Sequence, residues 1–145
     1  MNNVDHFRKL EAMYGTAPIN EFYAPTMAVS EGKAVIEIDL GEKFYHAAGA
    51  VHGSVYFKML DDAAFFATSS LEKTFFVLTT SFTTYLTRPV SEGKMQAIGK
   101  VVNRNKSQFI AESIVYDSND KEIGRGNGMF IRSKRKLSET PGYGV

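Results

Sequence analysis

There is no cysteine among the 145 residues. That excludes a disulfide frame, a thiol nucleophile and a thiolate metal site. An excess of charge of one sign is also missing: 17 basic residues meet 16 acidic ones, for a formal net charge of +1. No global field draws such a chain to nucleic acid or to an anionic membrane surface. No apolar run approaches the roughly 20 residues that a membrane-spanning helix needs. Asp5, His6 and Arg8 stand where a secretory signal would carry an apolar stretch. A P-loop, a dinucleotide fingerprint and zinc-ligand spacing are absent, as are internal repeats and low-complexity segments. The expectation is a cytoplasmic protein with no nucleic-acid or membrane partner, no cofactor and no metal.

What is present suits one domain with a real core: 43% of the residues are hydrophobic and 23% charged. Residues 4–14 predict a short amphipathic helix with Phe7, Leu10 and Tyr14 on one stripe. A hairpin follows over residues 27–40, in which Ala34, Ile36, Ile38 and Leu40 alternate with polar neighbours. Residues 75–88, 95–102, 108–116 and 122–131 read as four more strands, expected to form an antiparallel meander. Gly124, Gly126 and Gly128 in the last of them suggest a bulge or a close backbone approach. One domain is expected over residues 1–145, with an N-terminal helix or arm over 1–20 and a flexible tail over 134–145.

Between the hairpin and these strands lies the most informative segment, residues 52–70. It reads as a tight entry turn, His52-Gly53, and then a helix that is apolar nearly all round. Its only charges from Val55 to Ala67 are Lys58, Asp61 and Asp62. A carboxylate on a buried helix costs several kcal/mol unless it is paired or functional. Asp62 stands four residues after Lys58, the spacing of a helix ion pair. Asp61 shares its face with Ser54, Phe57, Phe65 and Thr68, a mostly apolar stripe that would raise its pKa. One long apolar helix among five or six strands has its place on the concave face of a curved sheet.

His52-Gly53, Asp61, Ala63 and Arg88-Pro89, in this order of elements, resemble the hotdog-fold acyl-CoA thioesterases of the phenylacetate-pathway (PaaI-like) type. The similarity covers residues 33–131 or so. It implies an α+β hotdog fold, a curved antiparallel sheet wrapped around one long central helix. It implies hydrolysis of an acyl-CoA thioester at a site shared between two protomers of a homodimer or homotetramer. Residue by residue, it implies that Asp61 activates water or attacks the carbonyl and that the Gly53 N–H polarises that carbonyl. It points to Thr79, ahead of Thr80, as the hydroxyl that positions water or carboxylate. The family's Asn position holds His46 here, and the second Gly of its His-Gly-Gly holds Ser54. His46 is thus a candidate for binding the carbonyl or water, or for acting as an acid. His52, Ser54 and Arg104 are the expected substrate-binding residues, His52 by orienting the turn and Arg104 by meeting coenzyme A phosphates. Two other readings are a non-catalytic acyl-CoA-binding or sensing protein and a hotdog hydratase or dehydratase that pairs His46 or His52 with Asp61.

Overall fold

A computed structural model describes residues 1–144. Two helices, α1 (Asn3–Thr16) and α2 (Asn20–Tyr23), form an N-terminal arm. A hairpin of β1 (Thr26–Ser30) and β2 (Lys33–Asp39) follows, and then the long helix α3 (Gly53–Ser69). Four strands complete the chain: β3 (Phe75–Leu86), β4 (Lys94–Arg104), β5 (Phe109–Tyr116) and β6 (Glu122–Lys136). With β1 and β2 they form one antiparallel six-stranded sheet in the order β1-β2-β4-β5-β6-β3, packed around α3. This is an α+β hotdog. No helix among the described residues is long and apolar enough to cross a membrane.

Helix α3 begins where His52, in extended backbone, lets its Nδ1 accept the Ser54 N–H at 3.0 Å. Met59, Leu60, Ala63, Ala64 and Ala67 are wholly buried. Each of the two larger side chains contributes about 1.5–3 kcal/mol by leaving water. The helix comes so close to β4 that a Cβ at Gly99 would run into the Ala63 carbonyl. Two hydroxyls hold it in register: Ser113 Oγ donates to the Leu60 carbonyl at 2.7 Å, and Tyr56 donates to the Arg88 carbonyl at 2.8 Å.

Two expectations need correction. The last four strands are not a simple meander. β3 leaves the end of α3 at the far edge and pairs with β6, while β4 crosses back to lie between β2 and β5. The inward glycines explain part of this choice: the Phe82 ring of β3 covers the positions where Gly126 and Gly128 of β6 would carry a Cβ. The segment expected to be a flexible tail is docked as far as Gly144; Val145 lies outside the described residues. Residues 134–136 extend β6, and Leu137 and Tyr143 are buried in the core.

His6 ties that docked end to the arm. Its Nε2–H donates to the Ser69 carbonyl at 2.7 Å, and its Nδ1 accepts the Tyr143 hydroxyl at 2.8 Å. Burial pushes its pKa down, so the ring stays neutral. His6→Leu keeps much of the volume but leaves the Tyr143 hydroxyl without this acceptor. Urea melts are expected to show a loss of about 1–3 kcal/mol. An unchanged midpoint would mean that the clamp contributes nothing.

Candidate active site

Asp61 sits in the middle of α3 with Phe57 one turn before it and Phe65 one turn after. These three, with Leu78 and Thr79 of β3 and Tyr14 of α1, line a cavity of about 540 Å³. The Thr79 hydroxyl donates to Asp61 Oδ1 at 2.9 Å. Thr80 turns the other way, donating to the Met129 carbonyl at 3.0 Å. A β-bulge between Thr79 and Ser81 shifts the register there, so that Thr79 and Phe82 oppose Phe130 and Gly128, both inward positions of β6. Burial raises the Asp61 pKa to about 6; the neighbouring Asp62 pushes the same way, against the Thr79 hydrogen bond and the Lys58 charge.

Asp62 lines the same cavity but is engaged elsewhere. Its Oδ2 accepts from the Lys58 ammonium and, at 2.7 Å, from the Tyr14 hydroxyl. The Lys58 ammonium also lies over the rings of Tyr14 and Tyr23, 5.0 and 4.8 Å from their centroids. Burial first, and then Asp62, pushes the Tyr14 pKa far above its ordinary value, so the phenol stays a donor.

A second cavity, about 380 Å³, opens at the N-terminus of α3 and is lined by His46, Gly53, Tyr56, Leu86 and Arg88 among others. Gly53 is the first residue of the helix, so its N–H has no intrahelical partner and lies at the positive end of the dipole. His46 belongs to a tight loop closed by its own N–H to the Ala50 carbonyl. Its Nδ1 accepts the Ala48 N–H at 3.0 Å, so the neutral ring carries its proton on Nε2.

The expected site residues therefore fall into separate groups within one chain. Asp61 and Thr79 meet in the first cavity, and His46 and Gly53 in the second. His52 and Ser54 bond to each other, the Ser54 hydroxyl donating to the ring Nδ1 at 2.8 Å. Gly53 and Asp61 are eight helical residues apart, about 12 Å along the axis. Arg104 is exposed at the end of β4. It lies five residues, roughly 16 Å, beyond Gly99, where the strand touches α3. Sequence reasoning missed Tyr14 as a member of the Asp61 cavity. Its place on the α1 stripe was legible; that its hydroxyl ends on Asp62 was not.

A family model described as the thioesterase superfamily matches residues 48–123, just over half of the chain. A Saccharolobus solfataricus protein with the name "Putative esterase SSO1253" is 23% identical over 112 residues, which is 77% of this chain and 75% of that one. Among solved structures, the Escherichia coli PaaI protein from the phenylacetic acid degradation operon superposes with a TM-score of 0.84 at 17% identity. That match covers 92% of this chain and 97% of the other. A point mutant of the phenylacetic acid degradation protein PaaI from Thermus thermophilus gives 0.74 at 18% identity, covering 81% and 100%. At such identities the solved structures speak for the fold.

Proposed function

The chain belongs to the thioesterase superfamily, and from that premise we propose that it hydrolyses an acyl-CoA thioester to the free acid and coenzyme A. One observation carries the reading: a half-buried carboxylate, Asp61, with a hydroxyl partner and a pKa raised to about 6, on the wall of a largely apolar cavity. A base poised just below neutral pH suits proton transfer from water. In the proposed reaction Asp61 takes a proton from water as the oxygen attacks the thioester carbon. The carbonyl oxygen gathers negative charge against the Gly53 N–H, with the His46 Nε2–H as a second donor. The C–S bond then breaks, and the departing sulfur takes the proton back from Asp61. Arg104, outside both cavities, is proposed to meet the phosphates of coenzyme A at the surface.

Because Gly53 and Asp61 lie about 12 Å apart, one chain does not bring both to one carbonyl. Two copies do so if the helix N-terminus of one faces the Asp61 cavity of the other. β3 supports such a pairing. It is an edge strand of 12 residues. Leu78, Tyr85 and Leu86 on it and Phe57 beside it are each at least 43% exposed. An apolar edge of this length is an association surface. The proposed assembly is a homodimer joined along β3.

The test is a panel of straight-chain, branched and aryl acyl-CoA thioesters with a thiol-release readout. At least one is expected to give one thiol per molecule of acid formed. Acyl-CoA binding by calorimetry with no thiol release would replace this reading with a sensing role. Water addition to an enoyl-CoA, with the thioester intact, would replace it with a hydratase.

A further inference from the structure

The wall beside Asp61 carries three groups that the proposed reaction does not use. Lys58, Asp62 and Tyr14 line the same cavity as Asp61 and are tied together through a single oxygen, Asp62 Oδ2. The Lys58 and Asp62 side chains are only 11% and 20% exposed. A buried pair of this kind is poor evidence for stability, since desolvation offsets much of the attraction. Its position suggests a different use. Asp62 is the residue next to Asp61, and two anchors prevent its carboxylate from swinging away. The groups around Asp61 come from every element packed there: Asp62 and Lys58 from α3, Tyr14 from α1 and the uncharged Thr79 hydroxyl from β3, with Tyr23 of α2 behind Tyr14 and Lys58.

We propose that Asp62 is a positioning residue for Asp61: its fixed negative charge, balanced by Lys58 and clamped by Tyr14, sets the pH at which Asp61 exchanges its proton. A like charge held nearby disfavours the ionised form of Asp61, and a cation favours it. Both influences bear on Asp61 here, in opposite directions. The clamp also links the site to the arm, because Tyr14 comes from α1, outside the residues 48–123 that the family model covers. The inference rests on the hydrolytic reading above only where catalysis is the readout.

The experiment compares the full-length wild type with Asp62→Asn, Lys58→Met and the double variant. Asn at position 62 still offers an oxygen to Tyr14, so the arm keeps its anchor while the charge is lost. In Asp62→Asn the acid limb of kcat/KM should move to lower pH by about half a unit to one unit. In Lys58→Met it should move up by a similar amount, and the double variant should return near the wild type. In parallel, carbon NMR of the Asp61 carboxyl reads the same shifts without any turnover. If either single variant does not fold, as judged by its melt, the other and the double variant decide.

A wild type that cleaves thioesters, with neither limb nor resonance moving in the variants, overturns this proposal and leaves hydrolysis standing. A wild type that cleaves no thioester, with the resonance moving as stated, removes hydrolysis and keeps the charge coupling. A role of Asp62 in holding α1 alone would give no opposite pH shifts in Asp62→Asn and Lys58→Met, whatever their melting temperatures, and that result also overturns the proposal.

Discussion

Asp61→Asn is expected to lower kcat for acyl-CoA hydrolysis by about a hundredfold or more, the scale of a lost general base. The amide keeps the shape and can still accept the Thr79 hydroxyl that Asp61 Oδ1 accepts at 2.9 Å. It cannot take a proton from water. The fold should survive, because a neutral amide is cheaper than a carboxylate on a wall formed by Phe57, Phe65 and Leu78. In the wild type the rate should fall as the pH drops through about 6, where Asp61 takes up its proton and ceases to be a base. Steady-state kinetics between pH 5 and 8, with a thermal melt of each protein, check both points. An Asp61→Asn protein that is folded and still turns over at the wild-type rate would place the chemistry elsewhere.

The parts of this protein that were legible in the sequence are those written as local pattern. The apolar run after His52-Gly53 is a helix because its residues favour one and its first turn is capped from within, and the structure begins α3 at Gly53. The period of two in residues 34–40 marks β2, whose inward residues Ala34, Ile36 and Ile38 are buried. Periodicity reports which face a side chain takes, however, not which strand lies alongside. Nothing local in residues 75–88 says that β3 pairs with β6 across the whole later half of the chain. The bulge after Thr79 is equally silent, because it is set by partner strand and twist.

The same division runs through the site. Lys58 and Asp62 were readable as a pair from their spacing, and they do bond. Tyr14 joins them from 48 residues away, a contact that only the docked arm creates. The segment from residue 134 onward, expected as a flexible tail, opens on the basic residues Lys134, Arg135 and Lys136. Its first members belong to β6, and Leu137 and Tyr143 beyond them carry the segment into the core. Charge density along a strand does not forecast where two apolar residues past its end will pack.

Gly53→Pro is expected to lower kcat by about a hundredfold to a thousandfold, the usual result of deleting one oxyanion donor. The substitution replaces the N–H by the ring Cδ, which removes the donor and also occupies the space in front of it where the carbonyl oxygen would sit. Gly53 is the first helical residue, where proline is well tolerated because that N–H has no intrahelical partner. His52 already has φ −63° and ψ 144°, the conformation that a following proline requires. The one atom near an added Cβ, the Leu86 Cδ1 methyl at 3.0 Å, is the far end of a flexible side chain and needs to give by only a few tenths of an ångström. Gly53→Pro and Asp61→Asn are therefore both expected to be folded and nearly inactive, and mixing them tests whether the site is shared. In a dimer that pairs the Gly53 of one chain with the Asp61 of the other, a mixed dimer has one site with both defects and one with neither. Equal amounts refolded together should recover about a quarter of wild-type activity, since half the dimers are mixed and each has one good site of two. A site built within a single chain would recover nothing, because no chain in the mixture has both groups. Light scattering on the same samples must show dimers for either result to count. A mixture that is dimeric but stays as inactive as its parents would overturn the shared site, and with it the assignment of Gly53 and Asp61 to one carbonyl.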